Sequence, residues 1–469
     1  MNGTFAKIKN CGFVKTLNEL ISSKYFPFVT AVLAIACYYL GWDLVLIYYI
    51  CLTGIFIALF MDDVTPVISH LLFINVVVSA KNSPSVSGGM SDYYTRAEVL
   101  AQIIPLVLLF IIAAAIRLAF TVKDKRFKIT PAFIGLAAFS AVLMLNGLFT
   151  KNYDAKNLLF ALIIVAIIFG IYSTIKDNIK VNSECYEKIA YAFLALSFLL
   201  IVELAVAYAT TEDLFVDGKI NRGNLVFGWG VYNSYGILIV MCLPAAIFLA
   251  GKKAFGFVYT LYSFIIFIAV FFSCSRQAMV GGVFIYPFCV AMLIWKGKNK
   301  FTNILVLGSA VIAGIILLCV FREWVADFFK EIFENFIVDG KLNGSGRMRI
   351  WKEALGYFKT YPVFGAGFFV EFSYSSDNGM SVIPLMCHNT LFEMMSACGI
   401  IGLCAYSVHR VQTILSFTKN ITPERTFIAG TIIVLLVISL FDNHLFNVFP
   451  TLVYSALLAV LFGGEKKTT

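Results

Sequence analysis

An all-α integral membrane protein, a polytopic bundle of about fourteen transmembrane helices, is predicted for this 469-residue chain on three observations. Of its residues 60% are hydrophobic and only 13% charged, against about 25% charged in a soluble domain. The charges are clustered, so that long apolar runs stand between them. The clusters are also basic at every second connection, as expected of loops that alternate between two sides of a membrane.

A helix needs roughly 20 apolar residues to cross hydrocarbon. Fourteen segments approach that length, near 25–41, 43–60, 64–80, 99–120, 131–149, 157–175, 188–208, 227–250, 254–272, 277–295, 302–321, 388–408, 426–441 and 446–462. The third is interrupted by Pro66, Ser69 and His70. Residues 1–24 carry Lys7, Lys9, Lys15 and Lys24 without a cleavable signal pattern and read as a cytoplasmic tail. An N-terminal membrane bundle of about eleven spans then occupies 25–321, a long external segment 322–387, the last spans 388–462, and a short cytoplasmic tail 463–469.

Orientation follows from lysine and arginine. The cytoplasmic connections hold Lys123, Lys125, Arg126 and Lys128; Lys176, Lys180 and Lys188; Lys252 and Lys253; Lys296, Lys298 and Lys300; and Arg410, Lys419 and Arg425. Only the Asp62-Asp63 connection lacks basic residues. Both termini are therefore expected inside. The net charge of +9 is read as a topology signal, and no nucleic-acid partner is expected. The eleven cysteines show no CxxC and no Cys/His spacing suited to zinc. Cys274 and Cys387 both fall at the external edge; incidental packing is the favoured reading, with a disulfide as the alternative. No Walker motif or nucleotide fingerprint is present, which argues against an ATP-driven pump.

The external segment is too apolar for a simple disordered connection. Trp324, Phe328, Phe329, Ile332, Phe333, Phe336 and Ile337 follow helical spacing, as do Ile350, Trp351, Ala354, Leu355 and Phe358. A turn cluster, Gly340 to Gly346, separates the two stretches. Two amphipathic helices on the outer leaflet fit this pattern, and so does a lid packed on the bundle. Pro362 and Gly365-Ala-Gly367 end the second helix and lead into a polar loop at 371–383.

Arg222, Arg276 and His388 fall at one edge of the spans, where ionisable groups are usually retained for function. His388-Asn389 opens a span and is followed by Gly399-Ile-Ile-Gly402, whose glycines would let that helix pack tightly on a neighbour. Upstream stand Arg347-Met-Arg-Ile-Trp351, Pro362-Val-Phe-Gly365-Ala-Gly367, Ser273-Cys-Ser-Arg276, and Arg222 with Asn224 and Tyr232-Asn233. In this order the set resembles the O-antigen ligase and O-antigen polymerase (Wzy-type) superfamily of bacterial membrane glycosyltransferases, most closely over 222–402. Gly228-Trp-Gly230 departs from the usual stretch before Asn233.

The resemblance implies a GT-C-like bundle in the bacterial inner membrane. It implies transfer, on the external face, of an oligosaccharide from undecaprenyl pyrophosphate to an acceptor hydroxyl on a glycan, lipid or protein, with inversion at the sugar carbon. His388 would be the base, and Arg276 and Arg222 would hold the pyrophosphate. Arginine is always charged and bidentate, and histidine suits proton transfer near neutral pH. No cofactor and no metal site are expected.

Arg347, Arg349, Asn389, Asn233 and His444 are further possible donor or acceptor contacts. Against these stand ordinary roles: a snorkelling Arg276, a solvated Arg222, Arg347 and Arg349 as surface charges of an interfacial helix, and His444 as a structural hydrogen-bonding residue. His70 is expected to be a packed polar residue, and Glu203 a buried acid with a partner or an acid beside the donor cavity. Polymerisation of surface polysaccharide is favoured over ligation, because nothing points to lipid A or a protein as acceptor. The rival class is a transporter or flippase of polysaccharide precursors, which would carry charges midway through its spans.

Overall fold

The computed structural model describes residues 11–79, 97–123, 128–212, 214–216, 219–220, 224–225, 232–333, 337–338, 341–342, 347–373, 380–382 and 387–463. Helix accounts for 80% of it. In chain order the helices are α1 (Gly12–Ser22), α2 (Phe26–Leu40), α3 (Asp43–Phe60), α4 (Val67–Ser79), α5 (Ala97–Lys123) and α6 (Pro131–Leu143). Next come α7 (Ala155–Val165), continued through a π-helical stretch (Ala166–Gly170) into α8 (Ile171–Lys176), then α9 (Ser183–Thr210), α10 (Tyr232–Met241) and α11 (Leu243–Lys252). They are followed by α12 (Gly256–Phe272), α13 (Arg276–Lys296), α14 (Lys300–Val320), α15 (Arg322–Phe333) and α16 (Arg347–Thr360). The last are α17 (Thr390–Thr418), α18 (Pro423–Ile438) and α19 (Val448–Gly463).

Each of the fourteen apolar segments is helical over most of its length. Among the described residues seven helices are long and apolar enough to cross a membrane unaided, or eight if α1 and α2, bent by 86°, count as one broken span. Several others, α6 and α12 among them, are apolar but shorter. Helix α1 falls inside the expected tail. Their starts are written locally: Thr130, Asp154, Asn182, Ser275, Asn389 and Thr422 each cap a helix with a side-chain oxygen that accepts a backbone N–H.

The chain forms two compact units. The first comprises residues 1–127, 174–216 and 221–316. Its most buried helices are α9, α10 and α11, while α5 and α14 bury few residues and expose apolar side chains. That inversion suits a helix wetted by lipid. At one end, Arg117 donates from Nη1 to the Met61 carbonyl (2.6 Å) and from Nη2 to the Asp62 carbonyl (3.1 Å). A cation from α5 thus serves the one expected cytoplasmic connection that has none of its own. His70 is buried, its Nδ1 3.1 Å from the Pro66 carbonyl, and stacks on Phe26 and Tyr49. Glu203 is buried and accepts from the Tyr39 hydroxyl at 3.2 Å. Both are the packed polar residues expected.

The second unit comprises residues 128–173, 217–220 and 317–469. In it α16 packs its apolar side against α17 and a short ribbon, β1 (Glu371–Ser373) paired antiparallel with β2 (Met380–Val382). Ile350, Ala354, Ala366, Val370, Phe372 and Cys387 form one buried cluster there. Burying each large apolar side chain contributes about 1.5–3 kcal/mol, enough to seat α16 on protein.

Helix α17 is not continuous. At Gly399 the backbone turns to φ 64° and ψ −157°. Segment 362–367 lies against the break and completes its hydrogen bonds. Ala366 N–H donates to the Ser396 carbonyl (2.7 Å) and Gly367 N–H to Ala397 (3.1 Å), while Ile400 N–H donates to Pro362 (2.8 Å). Broken helices survive at membrane depth only when protein satisfies the freed backbone groups. A Cβ on Gly399 would stand 2.4 Å from the Val363 carbonyl oxygen, and one on Gly365 2.3 Å from the Ala397 carbonyl carbon. Gly399 allows the close packing expected of it, here against segment 362–367, and it also makes the break.

Candidate functional site around His388 and Asp442

The site of the second unit is built where α17 begins and the connection between α18 and α19 passes it. Asn389 caps α17: its Oδ1 accepts from the N–H groups of Leu391 (2.8 Å) and Phe392 (3.2 Å). Its Nδ2 donates to the Leu440 carbonyl at 2.6 Å, and its backbone N–H to Asn443 Oδ1 at 2.7 Å. Thr390 N–H donates to the Ser439 carbonyl at 2.9 Å. Residues 389–390 and 439–443 are thereby tied together. Asn389, one of the possible substrate contacts, spends its side chain on this frame.

The tie brings His388 onto Asp442, with His388 Nδ1 3.1 Å from Asp442 Oδ1. The imidazole remains one-third exposed. His388 adopts φ +46°, a region that a non-glycine residue enters at a cost of about 1–3 kcal/mol. Asp442 Oδ1 also accepts the Asn443 N–H at 2.8 Å. His444, fully buried, places Nε2 3.9 Å from Asp442 Oδ2. Burial works to raise the Asp442 pKa but is outweighed by the His388 hydrogen bond, the His444 and His388 charges and the Asn443 N–H, which hold the carboxyl well below the usual range. Burial pushes the His444 pKa down; Asp442 opposes this, and His388 and Arg347 add to it.

Helix α16 holds both sides of the pair. Arg347, in its first turn, donates from Nη1 to the Phe441 carbonyl at 2.6 Å, next to Asp442. One turn later Trp351 donates from Nε1 to the Cys387 carbonyl at 2.8 Å, next to His388, and stacks on Phe392 with ring centroids 5.0 Å apart. The R-x-x-x-W spacing thus puts two donors on one face of a helix, one for each strand of the site. Arg349 points elsewhere, with Nε 3.9 Å from Glu353 Oε1.

Beneath the pair, Glu393 is buried and its Oε2 accepts from Cys387 N–H (3.2 Å) and from Asn443 Nδ2 (3.1 Å). Burial, then the Glu393 charge, pushes the Cys387 thiol up.

In the first unit, Arg276 opens α13 and is half-buried. Ser275 caps that helix and donates from Oγ to Asn233 Oδ1 at 3.1 Å, so Asn233 supports the cap. Cys274, at φ +56°, precedes them. Cys274 and Cys387 are both buried thiols and no disulfide is formed by either. Arg222 lies outside the described residues. Among the described residues no group of three or more His, Cys, Asp and Glu side chains could hold a metal ion.

Asp442, Asn443, Glu393 and the role of Trp351 were not singled out in the sequence. The available signal was the Phe441-Asp-Asn-His444 run at an external edge, in which the histidine drew attention and the carboxylate does the pairing.

The helices define a multi-pass α-helical membrane protein in which His388 and Asp442 pair at a helix end. Residues 261–407 match the family model Wzy_C, O-antigen ligase. This stretch is similar to that family, and the resemblance to the O-antigen ligase and polymerase superfamily is borne out. The family implies a glycosyltransferase-type enzyme of a bacterial membrane. The match takes in Arg276, Arg347, Trp351, Gly365, Gly367 and His388; Asp442 and His444 lie beyond it, as do Arg222 and Asn233. No curated protein matches the chain.

Proposed function

We propose that this protein transfers an oligosaccharide from undecaprenyl pyrophosphate to an acceptor hydroxyl on the external face of the cytoplasmic membrane, with inversion and without a metal ion. The observation that carries the reading is the His388 Nδ1 to Asp442 Oδ1 contact of 3.1 Å. Asp442 engages one ring nitrogen, which leaves Nε2 for the acceptor. Nε2 takes the hydroxyl proton as the acceptor oxygen bonds to the anomeric carbon, and the bond from that carbon to the phosphate oxygen breaks, releasing undecaprenyl pyrophosphate. An anionic partner stabilises the imidazolium that forms. Pyrophosphate leaves readily, so fixed cations where charge develops are the main further need. Arg276 and Arg222 are proposed for that role, and Arg347 for a contact to donor or acceptor beside His388.

The topology proposed with this reading has fourteen spans, both termini in the cytoplasm, and α15 and α16 outside as a lid. Polymerisation of surface polysaccharide is preferred to ligation. The test is deletion in the native host followed by gel analysis of surface and lipid-linked glycans, with complementation by wild type and His388→Ala. Single repeat units replacing a ladder identify a polymerase, and a normal ladder retained on the lipid carrier identifies a ligase. Unchanged glycans, or full complementation by His388→Ala, reject the proposal.

A further inference from the structure

Two strands that are far apart in sequence must hold His388 against Asp442 while His388 keeps an unfavourable left-handed backbone. The ties from α16 reach one strand each: Trp351 holds the carbonyl of Cys387, and Arg347 the carbonyl of Phe441. Glu393 is different. Its single oxygen Oε2 accepts the Cys387 N–H, the residue before His388, at 3.2 Å, and Asn443 Nδ2, the residue after Asp442, at 3.1 Å. Asn443 in turn gives its N–H to Asp442 Oδ1 and its Oδ1 to the N–H of Asn389, the residue after His388. The loop of hydrogen bonds is therefore closed on both flanks of the histidine and on the aspartate. Glu393 is buried in the first turn of α17.

We infer that Glu393 is the positioning residue of this site: through Asn443 and the Cys387 backbone it sets the His388–Asp442 contact, and it touches no substrate. The inference rests on the reading of His388 as the base. A carboxyl is not needed for its charge here, since both donors use one oxygen; a glutamine would present the same acceptor. Leucine, of similar bulk, would leave both donors without one.

The test uses full-length protein in proteoliposomes, with lipid-linked glycan extracted from the native host as donor. Glu393→Leu is expected to lower kcat at least about 30-fold with donor KM within about twofold. Glu393→Gln should stay within about threefold of wild type. Should Glu393→Leu fail to fold, Asn443→Leu removes the same bridge from the other strand and should give the same loss of kcat with KM retained. An unchanged kcat in the leucine variants, or a glutamine variant as impaired as leucine, overturns the inference. Activity surviving in His388→Ala would instead overturn the assignment of the base, which the Glu393 variants do not test.

Discussion

His388 Nδ1 stands 3.1 Å from Asp442 Oδ1, although 54 residues and the helices α17 and α18 separate them. In the proposed reaction the contact selects which ring nitrogen is left for the acceptor. Asp442→Asn keeps the shape but removes the charge that stabilises an imidazolium. Transfer rate is expected to fall by about 10²–10⁴-fold, measured as initial rate in proteoliposomes, with the variant eluting as a single species in detergent. Full activity in a folded Asp442→Asn would separate the aspartate from the reaction.

The same pair makes stability depend on pH. Asp442 has a folded pKa below its unfolded value, so its contribution is present above the ordinary Asp range and is lost as pH falls through that range toward the folded value. His444 is buried with its pKa also lowered; its protonation favours the unfolded chain below the ordinary His range. Both act in one direction. The thermal midpoint should drop as pH falls through the ordinary His range, and the gap between wild type and Asp442→Asn should narrow only below about pH 4, where the unfolded aspartate protonates. A gap that keeps widening below about pH 4 would contradict the assigned Asp442 shift.

Trp351 offers two separable contributions, the hydrogen bond to the Cys387 carbonyl and the stack on Phe392. Trp351→Phe retains an aromatic ring and should cost about 1 kcal/mol of stability. Trp351→Ala loses both and should cost about 3–5 kcal/mol. Thermal unfolding of the two variants in one detergent reads the difference; equal losses would show that the stack contributes little.

The break in α17 predicts an unusual sensitivity to one methyl group. Gly399→Ala places a Cβ 2.4 Å from the Val363 carbonyl oxygen on a backbone at φ +64°. In contrast, a Cβ at Gly356 on α16 meets nothing within 4 Å. Gly399→Ala should therefore destabilise by more than about 1 kcal/mol, and Gly356→Ala should be neutral or stabilising by about 0.5–1 kcal/mol. Yields of folded protein and melting points compare them directly, and similar values for both would refute the strained geometry.

The helical class was legible because hydrocarbon imposes a length and polarity on each span, and that demand is written locally, residue by residue. Capping residues such as Asn182 and Thr422 were equally local. His388, Arg347 and Trp351 could be picked out by motif, and His388 as the opening of a span. The Gly399-Ile-Ile-Gly402 run reads as a packing face, but its break does not show, because a helical glycine has the same spelling whether its φ is negative or positive. The difference lies in segment 362–367, which supplies the missing partners.

What the sequence by itself determined is the class of protein, the apolar segments and the residue types where the spans end. Only the tertiary structure decided that Asp442 meets His388, that Asn389 is spent on a cap, and that Glu393 links the two strands. The physical reason is the range of the forces: burial preference and helix capping act over a few residues and can be read along the chain. A hydrogen bond between residues 54 apart exists only once α17, α18 and the turn after it have packed.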